Sequence, residues 1–525
     1  MTAAVTAATE FQAVDVDYAA IAPMLVIVAG SLVGVLVEAF APRRSRHRIQ
    51  VWFTSLVLVA AFAALLVWSR TSMTVTLGGS VVVDGVSVFL MGALLLLAVI
   101  SVLIMGETFG GTGGDAFTPM GASTPGSNQE DVATRAGYAT SEVFPLTLFA
   151  VLGMMVFLTA NDLITMFVGL EVLSLPLYVL TGLARRRRLL SQEAALKYFL
   201  LGGFSSAFFL FGSALLYGYA GSSDLRAIAT TISSAPGDLD GLLVPGSVLL
   251  LVGLLFKVGA VPFHSWTPDA YQGAPTPVTG FMAACTKLAA FGVILRVAFV
   301  GIGANRWDWQ NGVYVIAILT MVVGAVLSVT QTDVKRLLAY SSIAHAGFIL
   351  VGVLAFSQAA VGGVMFYLVA YGFATVAAFG LVAMVRQGGS EASHLSQWAG
   401  LGRHHPVFAA TFSFLLLAFA GIPLTSGFTA KYAAFAPAVA SGPSGALLVV
   451  IAVLASAITA FVYVRLIVLM YFTAPAGDDE EVVVVLAPSI GSTVAITVGV
   501  AATVVLGIVP SFLLEIASNA SQFLL

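Results

Sequence analysis

The sequence is poor in cysteine and in charged residues, and both shortages exclude classes of function. Cys285 is the single cysteine among 525 residues, which excludes an intrachain disulfide and a cysteine-ligated iron–sulfur cluster. Charged residues make up 9% of the chain, against about 25% in an average soluble protein. The net charge of −3 comes without a basic face, so we expect no nucleic-acid partner. The sequence has no dinucleotide fingerprint, phosphate-binding loop or CxxC pair, and we expect this chain to bind no cofactor or metal of its own.

Apolar residues supply 59% of the chain and occur in runs long enough to cross a bilayer, which takes about 20 residues. The sequence therefore predicts an all-α polytopic membrane protein with about fourteen transmembrane helices. The first apolar run follows no basic segment of the signal-peptide kind, so we predict that it is a retained helix. The predicted helices cover residues 18–40, 49–68, 84–105, 142–160, 162–184, 193–219, 246–265, 276–300, 312–331, 334–356, 360–385, 406–433, 445–473 and 488–514.

The lysines and arginines of the loops predict an orientation in the membrane. Thirteen of the sixteen loop residues of these two types follow odd-numbered predicted helices, and three follow even-numbered ones. Because positive charge is enriched in cytoplasmic loops, the loops after odd-numbered helices are predicted to be cytoplasmic. With fourteen helices, both termini then lie outside.

Two segments repeat a helix-breaking pattern, GLLFKVGAVPFHSW at 253–266 and LAFAGIPLTSGFTAK at 417–431. Each places glycine and proline inside an apolar run near a lysine, and proline in mid-helix removes a backbone hydrogen bond. We predict that helices 7 and 12 are broken. Since these helices are five apart, the pattern predicts two inverted five-helix repeats, helices 4–8 and 9–13. A proline kink without any transport role remains the alternative.

The predicted organisation is a single membrane domain over residues 1–525. Helices 1–3 and a flexible loop rich in Gly, Ser, Thr and Pro make up residues 1–141. The first repeat is predicted at 142–300, the second at 312–473 and a C-terminal helix at 488–525.

Lys335 and Arg336, in the first turn of predicted helix 10, are counted with the loops; six further basic residues lie within the predicted spans, whereas Glu171 is the only carboxylate near the middle of one. Lys257, Lys287 and Lys431 lie too deep to extend their amines to the membrane surface. One glutamate cannot neutralise three lysines, although a structural ion pair remains the alternative for any one of them. Burial disfavours the charged form of an amine, so a row of such lysines linked by water is typical of a proton relay. The six residues are Lys197, Lys257, Lys287, Arg296, Lys431 and Arg465.

Three further residues each have a structural and a functional interpretation. Lys197, near the cytoplasmic end of helix 6, either extends its amine to the interface or pairs with Glu171. His264 lies beyond the Pro262 break, and His345 lies in the run YSSIAHAGF, whose hydroxyls could support a water chain. Both histidines are either hydrogen-bonded structural residues or proton carriers.

Two long motifs carry a family resemblance: VPFHSWTPDAYQGAPTPVTGF at 261–281 and SVTQTDVKRLLAYSSIAHAGF at 328–348. They resemble signatures of the antiporter-like membrane subunits of proton-pumping NADH:quinone oxidoreductase, respiratory complex I. The resemblance extends from about helix 4 through helix 13. The segment YQGAPTPV and the lysine at position 431 resemble the corresponding features of the N-subunit branch of this family.

The resemblance implies a role for each buried residue. Glu171 would modulate Lys257, Lys287 would be the central relay site, and Lys431 would face a second half-channel or a neighbouring subunit. Lys197 matches a lysine found in the N-subunit branch.

The resemblance also implies the setting of the chain. It would lie in the cell (plasma) membrane beside other membrane subunits of complex I, while NADH, flavin, iron–sulfur clusters and quinone would be bound by partner subunits. The first alternative is a subunit of a multisubunit Na⁺/H⁺ antiporter, which shares the fold. A sodium site needs clustered oxygen ligands, and three lysines with one glutamate disfavour it. A stand-alone solute transporter and a structural scaffold are further alternatives.

Overall fold

The computed structural model describes residues 15–68, 73–109, 114–136, 139–234, 240–474 and 483–524. Helices dominate these ranges, as the long apolar runs predict. In chain order they are α1 (Tyr18–Phe40), α2 (Arg43–Trp68), α3 (Gly85–Met105), α4 (Asn128–Arg135), α5 (Val143–Thr159), α6 (Leu163–Thr181), α7 (Arg188–Ala220), α8 (Leu225–Ser234), α9 (Asp240–Val258), α10 (Trp266–Gly273), α11 (Thr276–Phe281), α12 (Lys287–Arg296), α13 (Arg306–Val329), α14 (Val334–Leu354), α15 (Gln358–Met384), α16 (Leu401–His404), α17 (Pro406–Ala420), α18 (Ser426–Ala440), α19 (Pro443–Phe472), α20 (Ile490–Ile508) and α21 (Ser511–Asn519).

The predicted all-α membrane fold is confirmed. Within the described ranges, twelve helical stretches are long and apolar enough to cross a membrane, and two apolar helices, α5 and α17, are shorter. The count of fourteen, the inverted relation of the two repeats and the division of the chain at their borders stay predictions.

Both predicted helix breaks are present. In the first, α9 ends at Val258 and α10 begins at Trp266; in the second, α17 ends at Ala420 and α18 begins at Ser426. Gly259 and Gly421 follow the broken ends with φ of 75° and 85°, in the left-handed region that glycine adopts without steric penalty. Each break therefore interrupts the helical hydrogen bonds and leaves backbone carbonyls that need other donors.

The most deeply buried helices occupy the middle of the molecule. They are the continuous stretch Thr276–Gly301, which contains α11 and α12, together with α14 and α15. Wider π-helical turns at Met282–Thr286 and Val297–Gly301 flank α12. These helices carry Lys287 and His345, so the fold places two of the predicted site residues in its core.

Short strands lie between the helices. β1 (Thr74–Thr76) pairs antiparallel with β2 (Val81–Val83), just before α3. β3 (Val385–Gln387) pairs antiparallel with both β4 (Ser390–Glu391) and β5 (Val484–Val485). The second sheet brings the segment after α15 against the segment before α20.

A buried ion pair joins α3 to α12. Both Arg296 Nη atoms donate to the Asp84 carboxylate at 2.9 Å, and both side chains are almost fully buried. Asp84 also caps α3, because its Oδ1 accepts from the Ser87 backbone N–H at 3.0 Å. Asp84 therefore both caps α3 and neutralises the buried Arg296 guanidinium. Arg296 is thus part of a structural ion pair, and its partner Asp84 was not predicted from the sequence.

Replacing Asp84 by alanine is expected to destabilise the protein strongly, since it leaves the Arg296 charge buried without a counter-charge. Breaking such a pair from one side typically costs about 3–5 kcal/mol. The thermal unfolding midpoint of the detergent-solubilised protein measures the loss. Asp308→Ala, which removes an exposed carboxylate, is the matched control; equal midpoints for the two variants would contradict a stabilising role for the pair.

Candidate functional site

Lys257 lies in the last turn of α9, buried among hydroxyl groups. Its Nζ donates to Ser174 Oγ at 2.8 Å and to Tyr198 OH at 3.2 Å, and lies 5.3 Å from the centre of the Tyr198 ring. Ser174 belongs to α6, one turn beyond Glu171. Neutral oxygens and an aromatic face therefore hold the amine.

Glu171 lies near Lys257 without forming an ion pair with it. In the described part of the chain no carboxylate oxygen reaches the amine of Lys257 at ion-pair distance, although the charge of Glu171 still acts on it. Glu171 Oε1 is buried and has no hydrogen-bond partner there. The two residues are thus coupled through space, and a small movement of either side chain would change that coupling.

In the first break, an indole and a backbone N–H group donate hydrogen bonds to a carbonyl that the broken helix leaves free. Trp266 Nε1 donates to the Phe256 carbonyl at 2.9 Å, and the Gly259 N–H donates to the same oxygen. Trp266 stacks on Tyr198 with ring centres 4.5 Å apart. His264 is half-buried within the break, its ring 6.4 Å from that of Tyr340. The break thus connects the surroundings of Lys257 to α14.

Lys287 begins α12 and is fully buried. Its Nζ donates to both Ser342 oxygens, the hydroxyl and the backbone carbonyl, and lies 5.3 Å from the centre of the Tyr371 ring. The hydroxyl of Tyr271 lies beside Ser342 as well. Ser342 on α14 is therefore where α10, α12 and α15 meet.

His345 follows Ser342 by one helical turn. Its Nδ1 is 2.7 Å from Tyr367 OH, and its ring centre is 4.8 Å from that of Tyr371. Nε2 is buried and unpartnered within the described residues. Its ring contacts Tyr371, over which Lys287 lies, and Phe348, over which Lys431 lies, so His345 is near both lysines.

Lys431 binds the carbonyls that the second break frees. Its Nζ donates to the Phe419 carbonyl at 3.0 Å, the Ala420 carbonyl at 2.8 Å and Ser456 Oγ at 2.6 Å. A cation also complements the negative end of a helix dipole. A Cβ on Gly421 would lie 3.1 Å from Lys431 Nζ. The carbonyls at the broken end of α17 therefore form a site that binds the Lys431 amine closely.

Lys197 lies apart from these residues. Its side chain is 46% exposed and its Nζ contacts Glu193 Oε1 at 2.7 Å and Asp269 Oδ2 at 3.0 Å. The interpretation of Lys197 as the partner of Glu171 is therefore wrong; Lys197 pairs with surface carboxylates. Arg336 Nη1 also donates to Asp269, at 2.6 Å. Burial would raise the pKa of Asp269, but Arg336 and Lys197 outweigh that effect and lower it.

Most of the groups that hold the lysines were not predicted from the sequence. The missed acceptors are Ser174, Tyr198 and Ser456, and the missed aromatic face is Tyr371. A hydroxyl residue one turn from a charged residue inside an apolar span was a usable signal for Ser174. No local signal marks Ser456, because the break in α17 rather than spacing brings it to Lys431.

Lysines held by neutral oxygens at helix breaks, in an all-α membrane fold, define an antiporter-like ion-translocating membrane protein. Residues 160–459 match the family model described as "NADH:quinone oxidoreductase/Mrp antiporter, TM". Proteins named NADH-quinone oxidoreductase subunit N are similar over nearly the full length. That of Salinispora arenicola is 53% identical over 98% of this chain and 99% of its own. That of Streptomyces griseus, subunit N 3, is 51% identical over 98% of this chain and 95% of its own.

Two solved structures share the fold. A chain of respiratory complex I from Thermus thermophilus with bound aureothin is 33% identical, covers 94% of this chain and 99% of its own, and has a TM-score of 0.74. A chain of the Mrp complex from Dietzia sp. is 21% identical, covers 96% and 97%, and has a TM-score of 0.79, a likeness of fold alone. The chain belongs to the family of NADH-quinone oxidoreductase N subunits, as its motifs predict.

Gly421→Ala is expected to impair proton translocation by displacing Lys431 from its carbonyl acceptors. Gly221→Ala is the matched control, because Gly221 also ends a helix at positive φ but has open space where a Cβ would lie. Alanine in this conformation costs about 1 kcal/mol, so both variants should lose similar stability. Pumping by inverted membrane vesicles, normalised to assembled complex, is the measurement; equal pumping by the two variants would contradict the role given to the Lys431 site.

Proposed function

We propose that this chain translocates protons through a buried relay and performs no redox chemistry itself. The observation that carries the proposal is the environment of Lys257, Lys287 and Lys431. Each amine is buried and is held by hydroxyl or carbonyl oxygens in place of a direct carboxylate partner. A lysine bound in this way can give up its proton without leaving a buried counter-charge behind, whereas a lysine in an ion pair cannot.

The proposed path runs from Lys257 to Lys287 along hydroxyl groups. Tyr198, which holds Lys257, lies near Tyr271, and Tyr271 lies beside Ser342, which holds Lys287. A hydroxyl can donate and accept a hydrogen bond at once. With water completing the gaps, these groups support proton transfer in either direction, and His264, whose ring lies 6.4 Å from that of Tyr340, is proposed to contribute from the break.

From Lys287 the path continues along one face of α14. Ser342, His345 and Phe348 are spaced three residues apart and share that face. Lys287 contacts Ser342, and Lys431 lies 5.1 Å from the centre of the Phe348 ring. His345 stands between the two lysines and can carry a proton on Nε2, so it is proposed as the intermediate station.

Glu171 is the proposed switch. Its buried carboxylate stabilises the protonated form of Lys257 when the two side chains are close. When they separate, this stabilisation is lost and Lys257 gives up its proton more easily. Chemistry in partner subunits would drive the movement, and those subunits would hold NADH, flavin, iron–sulfur clusters and quinone. Lys197 is proposed to exchange protons with the loop side, since its side chain is half-exposed and contacts Asp269 on α10.

The proposed setting is the plasma membrane, within a complex of other membrane subunits and with both termini outside. Membership in the N-subunit family supports this setting, and the arginine-rich loops support the orientation. A subunit of a Na⁺/H⁺ antiporter is the second candidate on grounds of fold. The described residues contain no cluster of three His, Cys, Asp or Glu side chains able to hold a metal ion, so no observation favours direct sodium binding.

Lys257→Met is expected to abolish pumping by the assembled complex while keeping a side chain of similar volume in place. Proton uptake into inverted vesicles during NADH oxidation is the measurement, and co-purification of the other subunits verifies assembly. Normal pumping by an assembled Lys257→Met complex would overturn the relay.

Lys335→Met is the control for removal of any buried lysine. Lys335 Nζ donates to the Ala274 carbonyl at 2.6 Å and to Glu391 Oε2 at 3.0 Å. Burial would raise the pKa of Glu391, but Lys335 and Arg386 outweigh that effect and lower it to about 2. The Glu391 carboxylate therefore stays ionised at working pH and holds the Lys335 amine in place, so Lys335→Met should lower stability and leave pumping per assembled complex unchanged.

A further inference from the structure

A cavity of about 1180 Å³ lies where the start of α2, the end of α3 and the start of α20 meet, away from the lysine relay. Four arginines and two carboxylates line it, which leaves an excess of positive charge. One arginine is neutralised locally, because Arg46 Nη1 donates to Glu38 at 2.9 Å. The charged lining residues are Glu38, Arg43, Arg44, Arg46, Arg48 and Glu142.

Two of these arginines are available to a ligand. Arg44 and Arg48 are exposed, and neither has a hydrogen-bond or ion-pair partner within the described ranges. They lie four residues apart on α2 and therefore share one face of that helix. Two guanidinium groups on one face match the oxygens of a phosphate group, which arginine binds in a forked geometry.

The same face of α2 becomes apolar as it enters the membrane. Trp52 and Leu56 continue the four-residue spacing and are 69% and 66% exposed. The stretch Arg43–Val67 is long and apolar enough to span a membrane. Tryptophan is enriched at the depth of lipid headgroups. Across the cavity, Ile490 adds a second exposed apolar side chain. Along this face of α2 the arginines come first, then the indole and then the aliphatic side chain. This is the order in which a phospholipid presents its charged headgroup, its interfacial region and its acyl chain.

We propose that this cavity binds an anionic phospholipid, whose phosphate contacts Arg44 and Arg48 and whose acyl chain follows Trp52 and Leu56. A soluble phosphate would use the arginines but not the apolar face below them. Small-molecule sites usually measure about 300–1,000 Å³, and the larger cavity suits a headgroup with part of its glycerol. The bound lipid would fill the gap between α2 and α20, the second and the last of the membrane-spanning helices in the described residues.

The test compares the assembled complex carrying Arg44→Gln/Arg48→Gln with wild type and with Arg186→Gln/Arg403→Gln. The control pair also removes two exposed arginines but lies outside the cavity. Each complex is stripped of lipid with detergent, incubated with phosphatidylglycerol or phosphatidylcholine, washed, and assayed for retained phospholipid by mass spectrometry. Each arginine near an anionic headgroup contributes roughly fivefold in affinity, so the double variant is expected to lose about one phosphatidylglycerol per complex.

Wild type and the control pair should retain phosphatidylglycerol in preference to phosphatidylcholine, and inorganic phosphate should not displace it. Displacement by inorganic phosphate would overturn the lipid assignment in favour of a soluble anion. Equal lipid retention by the cavity variant and the control variant would overturn it outright. Loss of a neighbouring subunit from the cavity variant, with lipid content unchanged, would likewise overturn it and assign the arginines to an acidic protein segment.

Discussion

A buried amine must be given oxygen acceptors, and this requirement shapes the centre of the molecule. The acceptors around Lys257, Lys287 and Lys431 are side-chain hydroxyls and backbone carbonyls. A buried charge with a structural role is held differently: Arg296 forms a buried ion pair with Asp84. The Arg296 charge is therefore matched by an opposite charge, whereas the three lysines are held by neutral oxygens, which the proposed relay requires.

The two helix breaks look alike in sequence and act differently in the structure. In the first, Trp266 and backbone N–H groups take up the carbonyls at the end of α9, and Lys257 turns away toward α6 and α7. In the second, the last carbonyls of α17 accept directly from Lys431. The difference follows from the order of the residues, because the lysine precedes the glycine in the first break and follows it in the second.

The helices, the breaks and the buried lysines could be predicted from the sequence, because long apolar runs, mid-span prolines and charges inside apolar spans are each visible locally. The sequence was insufficient for partners that folding brings together. Asp84 stands at the start of a helix, 212 residues from Arg296, and nothing near it marks the pairing. The sequence allows Lys197 to pair with Glu171, but its amine instead contacts Glu193, one turn away, and Asp269 on α10. Helix existence is a local property, whereas the choice among possible acceptors is set by tertiary packing.

The absence of a direct bond between Glu171 and Lys257 has a thermodynamic consequence. If the position of the carboxylate alters how tightly the amine holds a proton, then the proton must alter the preferred position of the carboxylate by the same free energy, since coupling between two sites is reciprocal. A path of hydroxyls favours neither direction by itself. The proposed relay is therefore reversible in principle: within it, a sufficiently large proton-motive force acting on Lys257 would move Glu171 in the opposite direction and return free energy to the partner subunits that ordinarily move it.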